Sequence, residues 1–287
     1  MKITVVGAGN IGSTASLLIA ERGLCDELVV LDIASDKVAG VALDLGHCSS
    51  VHGDIEVVGT TDYSASVDSD LVVIAAGIPR MPGESRLDLT KKNAGIMRGV
   101  IRNLARYTGG TYLVVSNPVD VLTYIALKES GMPPQRVFGL GTMLDTLRLR
   151  SLMPGNVDAS KVLVVGEHGD SMVPVFSGVA GGRASMMKFF EEVRYGAAQV
   201  IKLRGFTAFA PAVAIAEVVG SIAMDEGKGL PVSVYHEEHD LCISTLAKVD
   251  RKGATRMHLK LNKKEEEDFL KSVKVIDEAL AESGYRG

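Results

Sequence analysis

A histidine in a glycine-rich turn is the residue of this sequence whose type and setting best suit proton transfer. His168 lies in the segment Gly-Glu-His-Gly-Asp-Ser at 166–171, directly after an apolar run at 162–165 that predicts a buried strand. Imidazole ionises close to neutral pH, so it can both take up and release a proton there. A histidine at the end of a strand can also serve a local hydrogen bond only. The rest of the chain decides between these two interpretations.

A second candidate site is the turn Gly-Ala-Gly-Asn-Ile-Gly at 7–12, between a predicted strand at 2–6 and a predicted helix that continues to about Gly23. Its glycine spacing lets the backbone approach a pyrophosphate, which the N-terminus of the helix then attracts. Asp32 ends the second predicted strand, 20 residues after Gly12. Its carboxylate can accept hydrogen bonds from a ribose diol and would repel a 2′-phosphate, which favours NAD over NADP. The pattern predicts an NAD site formed by Gly7, Gly9, Asn10, Ile11, Gly12 and Asp32.

The elements that must position these residues divide the chain into two halves. Six predicted strands lie at 2–6, 28–32, 55–58, 71–76, 112–115 and 137–140, and helices at 36–47, 87–107 and 120–130 alternate with the later ones. This alternation is typical of a doubly wound parallel sheet. The second half is mixed, with helices at 144–152, 187–203, 210–225 and 264–283, strands at 161–166, 171–176 and 257–261, and a hairpin within 231–248. The fold class predicted is α/β, with an N-terminal NAD-binding Rossmann domain (1–142) and a separate C-terminal α+β substrate domain (143–287).

Composition excludes several classes of function. The 287 residues are 46% hydrophobic and 23% charged, with a net charge of −4 and no tryptophan. The sequence has no basic block, so we expect no nucleic-acid partner, and no run approaches the roughly 20 apolar residues of a membrane span, so we expect no membrane partner. Three scattered cysteines, Cys25, Cys48 and Cys242, indicate a reducing compartment. We therefore expect a cytoplasmic protein.

Five motifs in a fixed order give the chain a resemblance to the lactate/malate dehydrogenase family. They are Gly-x-Gly-x-x-Gly at 7–12, Pro-Gly-Glu-Ser-Arg-Leu-Asp-Leu at 82–89, Ser-Asn-Pro-Val-Asp at 116–120, Leu-Asp-Thr-x-Arg at 144–148 and Gly-Glu-His-Gly-Asp-Ser at 166–171. The resemblance runs from residue 1 to about 235 and resumes near 257. The chain departs from the family in a shortened hairpin near 236–240 and a shortened region at 177–190. The resemblance implies an NAD-dependent oxidoreductase of a small 2-hydroxy acid.

The resemblance also implies a role for each site residue. His168 would exchange the proton, and Asp145 would stabilise its imidazolium form, since a carboxylate raises the pKa of a neighbouring histidine. Arg148 would bind the substrate carboxylate, and Arg86 would polarise the carbonyl group. Asn117 would contact both substrate and cofactor. Further cofactor contacts are implied for Gly77, Asn93 and Val115.

Arg80, six residues before Arg86, would face the far end of the substrate. In the family, glutamine at this position goes with lactate and arginine with malate, and a second buried carboxylate needs a cationic partner. The prediction is therefore a malate dehydrogenase. A shift of the loop by one residue would place Met81 there and favour lactate or another 2-hydroxy acid. An NAD-dependent glycosidase and an NAD-sensing module without catalysis are the alternatives from other classes.

Three further expectations concern regions outside the predicted site. His236 and His239 are three residues apart in a predicted hairpin loop, a spacing that does not support a metal site, so we expect a solvated loop. The helix that contains Leu45 resembles the interface helix of the family, whose members are mostly oligomers, and we expect a homotetramer or a homodimer. Thr207 resembles part of the wall of the substrate pocket.

Overall fold

The computed structural model describes residues 1–52, 55–79, 86–179 and 182–286. Its strands are β1 (Lys2–Val6), β2 (Glu27–Leu31), β3 (Glu56–Thr60), β4 (Leu71–Ile74), β5 (Thr111–Val114), β6 (Val137–Gly139), β7 (Leu163–Val165), β8 (Val173–Val175), β9 (Lys228–His236), β10 (Leu241–Asp250) and β11 (Gly253–Arg256). Its helices are α1 (Asn10–Glu21), α2 (Ser35–His52), α3 (Arg86–Leu104), α4 (Val119–Ser130), α5 (Met143–Ser151), α6 (Gly182–Arg204), α7 (Phe209–Ala223) and α8 (Lys263–Glu282). Most predicted elements lie within a few residues of these bounds.

The first six strands form a parallel sheet in the spatial order β3-β2-β1-β4-β5-β6. Helices cover both faces, so the central strands are apolar on both sides: every residue of β4 and of β5 is buried. This strand order places the carboxyl ends of β1 and β4 side by side, where the connections diverge to opposite faces. The predicted fold class, a Rossmann-type sheet followed by a second α/β unit, is confirmed.

The second half of the chain is joined to the first more closely than the sequence predicted. Strands β9, β10 and β11 are antiparallel to one another and extend the same sheet, with Gly139 of β6 paired to Ser233 of β9. Helix α7 packs against α1 in a shared core, where Ile19 contacts the apolar cluster that contains Ile215 and Val219. The expectation that the second half of the chain is a separate α+β layer packed on the first half is thus wrong for these three strands, which belong to the first sheet. The predicted domain boundary at residue 142 stays a prediction.

Two expectations at the edge of the sheet are wrong in detail. The strand predicted at 257–261 is absent, and β11 ends at Arg256. In 257–261 apolar residues alternate with polar ones, as they would in a strand. Leu259 and Leu261 instead pack on the apolar cluster of β7 and β8 and do not pair with β10. His236 is not solvated: it ends β9 and is 1% exposed, while the turn that follows connects it to β10.

Strands β7 and β8 form a small antiparallel sheet that α8 holds in place. Glu265, in the first turn of α8, is fully buried. Its carboxylate accepts the backbone N–H of Phe176 at 2.9 Å and that of Asn262 at 3.0 Å. Asn262 in turn accepts the N–H groups of Lys264 and Glu265, which completes a capping box. One side chain therefore caps α8 and fastens it to the end of β8.

In the described part of the chain, no helix has the length and hydropathy that crossing a membrane requires. The cysteines Cys25, Cys48 and Cys242 are all unpaired.

We expect Glu265→Ala to lower the free energy of unfolding by about 3 kcal/mol, because the buried N–H of Phe176 and the partly buried N–H of Asn262 lose a charged acceptor. Urea denaturation followed by circular dichroism measures this change. Glu267→Ala removes the same charge from an exposed position two residues away and is the matched control, with a change below about 0.5 kcal/mol. Equal effects of the two substitutions would contradict the buried role of Glu265.

Candidate functional site

Two predicted site residues, His168 and Arg148, both contact the buried carboxylate of a third, Asp145. Asp145 and Arg148 lie on α5, three residues apart and therefore on one face of the helix. His168 follows β7 in the turn at 166–171. The Nδ1 atom of His168 lies 2.5 Å from Asp145 Oδ2, and Arg148 Nη1 lies 3.2 Å from Asp145 Oδ1. Asp145 is only 1% exposed, so its charge depends on these two partners.

The electrostatics of this group favour a protonated imidazole. Burial on its own would lower the pKa of His168, but the charge and hydrogen bond of Asp145 outweigh burial and raise that pKa above its ordinary value. Burial would likewise raise the pKa of Asp145, yet His168 and Arg148 together hold it below its ordinary value. The pair therefore tends to exist as carboxylate and imidazolium.

The turn that carries His168 is fastened at both ends. Gly166 has φ +88°, and a Cβ there would lie 2.6 Å from Ser272 Oγ, so glycine is required at this position. Backbone hydrogen bonds join Gly166 to Ser244 of β10 in both directions. The backbone N–H of His168 donates to Asp120 Oδ2 at 2.8 Å. No role was predicted for Asp120, although it is the last residue of the Ser-Asn-Pro-Val-Asp motif.

A cavity of about 250 Å³ opens beside these residues and joins both halves of the chain. Arg148, His168 and Asn117 supply polar groups to its wall. Ile11 comes from the glycine turn, and the predicted wall residue Thr207 also lines the cavity. Val115 and Leu144 are among the apolar members of the lining. The cavity thus connects the predicted cofactor site to the predicted proton-transfer site.

The glycine turn has the shape that a pyrophosphate requires. A Cβ on Gly12 would lie 1.8 Å from the carbonyl oxygen of Gly7, so the turn and α1 are packed too closely for a side chain. Gly9 is the N-cap residue of α1, and no side chain caps this end of the helix. A Cβ on Gly9 would meet nothing within 4 Å. Free N–H groups at a helix N-terminus beside open space form an anion site. Asn10 is exposed at the start of α1. These residues fit a dinucleotide.

Asp32 follows β2 at the same edge of the sheet. Its Oδ2 accepts the N–H of Ala8 at 2.7 Å, and its Oδ1 accepts that of Ala34 at 3.0 Å. These bonds direct the carboxylate from the end of β2 toward the glycine turn. Such a placement fits a ribose diol next to the pyrophosphate site.

Asn93 is buried behind the strand ends at the predicted cofactor edge, and its contact with the cofactor stays a prediction. It is 3% exposed, and its amide binds the backbone of both neighbouring strand ends: the N–H of Ile78 donates to Oδ1 at 2.9 Å, and Nδ2 donates to the carbonyl oxygen of Asn117 at 2.8 Å. Gly77 is exposed beside this amide. Asn93 therefore positions the segments of Gly77 and Asn117, and both segments end at the predicted cofactor edge.

The side chains of two predicted site residues lie outside the described part of the chain, and the roles of all the site residues stay predictions. Arg80 lies outside the described residues. Arg86 is the first residue of α3, and its side chain lies outside them as well. In the described ranges, no cluster of three or more histidine, cysteine, aspartate or glutamate side chains has the arrangement of a metal site.

Known proteins match nearly the whole chain. Residues 1–139 match the model of the lactate/malate dehydrogenase NAD-binding domain, and residues 142–284 match the model of the lactate/malate dehydrogenase alpha/beta C-terminal domain. A malate dehydrogenase of Archaeoglobus fulgidus is 37% identical over 99% of this chain and 100% of its own. An L-lactate dehydrogenase A chain of Paranotothenia magellanica is also 37% identical, over 96% of this chain and 91% of its own.

Solved structures show the same two activities among the relatives. The malate dehydrogenase of A. fulgidus in complex with NADH superposes with a TM-score of 0.94, covering 99% of this chain and 100% of that one. The lactate dehydrogenase MGS-M5 from a deep-sea metagenome of the Medee basin superposes with a TM-score of 0.91 at 32% identity, covering 99% of each chain. Sequence and structure are therefore similar to malate and lactate dehydrogenases alike.

We expect Asp145→Asn to lower the pKa of His168. The amide keeps an acceptor for Nδ1 but removes the charge that opposes burial. An NMR titration of the imidazole C–H signals measures the change, with His168→Gln to assign the signal among the six histidines. Asp158→Asn makes the same change at an exposed carboxylate that pairs with Lys161; it is the control and should leave this pKa unchanged. An unaltered His168 pKa in the Asp145 variant would contradict the electrostatic account.

Proposed function

The chain belongs to the lactate/malate dehydrogenase family, and from this premise we propose that it catalyses the reversible oxidation of malate to oxaloacetate with NAD. Membership makes it an NAD-dependent oxidoreductase, and NAD is its cofactor. Malate as the substrate, and the part that each residue plays, are the proposal.

The observation that carries the catalytic part is the shared carboxylate of Asp145. It binds an imidazole through one oxygen and a guanidinium through the other, and it thereby fixes both groups in the wall of one cavity. Because Nδ1 of His168 is engaged by Asp145, Nε2 is the atom left to exchange a proton with the substrate. Arg148 has further N–H groups to bind a carboxylate of that substrate.

NAD held at the glycine turn of residues 7–12 and Asp32 would supply the hydride chemistry of the reaction in both directions. In the reductive direction, protonated His168 donates its proton to the oxygen of the oxaloacetate carbonyl. In the oxidative direction, neutral His168 accepts the proton of the malate hydroxyl. Asp145 keeps a negative charge beside the imidazolium and so stabilises the protonated state in either direction. Arg86 polarises the same carbonyl oxygen as negative charge develops on it.

Arg80 supports malate over lactate. Malate carries a second carboxylate that pyruvate and lactate lack, and an enclosed carboxylate is costly without a cationic partner. Arg148 binds the first carboxylate in this scheme, so Arg80 is available for the second. The alternative of lactate or another 2-hydroxy acid is kept open by the equal identity of the two relatives.

We expect the native protein to oxidise NADH with oxaloacetate in preference to pyruvate, and Arg80→Gln to lower kcat/KM for oxaloacetate about 100-fold or more. The reason is that the variant leaves the second carboxylate of the substrate unpaired. Absorbance of NADH measures both rates. Arg102→Gln makes the same change at an exposed arginine that pairs with Glu129, and it should leave the preference unchanged.

A native preference for pyruvate would contradict malate and support a lactate-type enzyme. No turnover with either substrate would move the interpretation to the glycosidase or NAD-sensing alternatives.

We further propose that the protein is a homo-oligomer, a dimer or a tetramer. Three large apolar side chains that line a groove between α5, α6 and α7 are exposed: Phe209 is 64% exposed, Tyr195 63% and Val200 42%. A second copy that covered this groove would remove their surface from water.

Sedimentation velocity should show a dimer or larger species, and Phe209→Asp should shift the protein toward monomer. A native monomer at micromolar concentration would contradict the proposal.

A further inference from the structure

We propose that Asp120 is a positioning residue for the catalytic histidine: its buried carboxylate holds the turn that carries His168 against the segment that presents Asn117. The inference rests on the proposed role of His168 as the proton donor and acceptor. It adds a second carboxylate to the group that surrounds this imidazole, from the opposite half of the chain to Asp145.

The contact is direct and buried. Asp120 is 3% exposed and lies in the first turn of α4. Its Oδ2 accepts the backbone N–H of His168 at 2.8 Å, across 48 residues of sequence, and its Oδ1 lies 3.4 Å from Ser244 Oγ. The backbone N–H of Thr142 donates a hydrogen bond to Ser244 Oγ at 3.1 Å. Asp120 and Ser244 therefore hold the turn of His168 from two separate elements.

The position of Asp120 along the chain gives this contact a consequence for the site. Asn117, three residues earlier, lines the cavity in which His168 and Arg148 also lie. One short segment thus supplies a polar group to the cavity and an anchor to the peptide of His168. A displacement of about 1 Å in a reacting group can cost about 100-fold in rate, so the precision of this anchor matters.

The charge of Asp120 matters as well as its oxygen atom. Burial raises the pKa of Asp120 to about 6, although the nearby Ser233 hydroxyl, the hydrogen bond from the His168 N–H and the nearby imidazole favour its ionised form. The negative charge of Glu167, on the turn that carries His168, also raises the pKa of Asp120. Cys242 on β10 also faces this carboxylate, and its thiol stays protonated because burial raises its pKa well above the ordinary value. Ionised Asp120 in turn favours the imidazolium form of His168.

The expected pH dependence of oxaloacetate reduction follows from the protonation states of Asp120 and His168. Above a pH of about 6 Asp120 is ionised and holds the turn through a charged hydrogen bond. Below that pH it becomes neutral, and the bond to the N–H of His168 weakens. His168 loses its own proton only above its raised pKa. The rate of oxaloacetate reduction should therefore fall on the acid side as Asp120 is protonated and on the alkaline side as His168 is deprotonated.

The decisive variant is Asp120→Asn, which retains an acceptor oxygen for the His168 N–H and removes only the charge. We expect the pKa of His168, followed by NMR titration of its imidazole signal, to fall. We also expect the alkaline limb of kcat/KM for reduction to move to lower pH, the acid limb near pH 6 to disappear, and kcat/KM at neutral pH to fall about 10-fold. The Kd for NADH should stay within about twofold of the native value, because the contact does not touch the glycine turn.

Glu265→Gln is the matched control, since it neutralises another buried carboxylate that accepts backbone N–H groups. It should lower stability and leave the titration of His168 and both limbs of the pH profile unchanged. Coincident His168 titration curves in the native protein and in Asp120→Asn would overturn the proposal, because a merely structural acceptor would give that result.

The role of His168 itself is tested separately. If His168→Gln kept the native rate of reduction, the proposed role of His168 would be wrong, whereas the NMR titration would still report whether Asp120 acts on the imidazole. Asp120→Leu, which removes the acceptor as well as the charge, should lower kcat further than Asp120→Asn does. A kcat for Asp120→Leu equal to that of Asp120→Asn would overturn the anchoring role of the oxygen.

Discussion

The carboxylate of Asp145 is the interaction on which the site depends. A carboxylate this deeply buried is stable only if its charge is balanced and its oxygens are hydrogen-bonded. His168 and Arg148 meet that need together, one on each oxygen. The two groups that would handle the substrate are thereby fixed relative to each other before any substrate arrives. Loss of either partner would leave an uncompensated charge in the core, so the proposed catalytic group also contributes to stability.

That arrangement requires elements from both halves of the chain to keep their places. Asp145 is on α5, His168 follows β7, and the turn of His168 is tied to Ser244 on β10. Strand β10 belongs to the same sheet as β1, which ends at the glycine turn. The shared core of α1 and α7 adds a second connection. A continuous sheet therefore sets the distance between the glycine turn and His168, the proposed sites of the cofactor and of proton transfer.

Local motifs made much of this site predictable from the sequence. The glycine spacing, the position of Asp32 and the separation of Asp145 and Arg148 are short-range patterns whose geometry a strand, a turn or a helix determines. The contact of Asp120 with His168 spans 48 residues, and no local period encodes it. The same limit applies to β9, whose pairing with β6 depends on tertiary packing. At 257–261 the alternating pattern was real, but Leu259 and Leu261 satisfy it by packing on another sheet.

His168 is faced by two buried carboxylates that differ in their surroundings. Asp145 has a guanidinium and the imidazole on its oxygens, and these partners hold its pKa below the ordinary value. Asp120 has a backbone N–H and a nearby hydroxyl in place of a guanidinium, and burial raises its pKa to about 6. Environments that separate the pKa values of two like groups assign them different tasks. Asp145 remains a fixed charge across the neutral range, whereas Asp120 changes its charge at the edge of that range. The imidazole therefore has one partner, Asp145, that stabilises its proton at every neutral pH and a second nearby carboxylate, Asp120, whose support depends on pH.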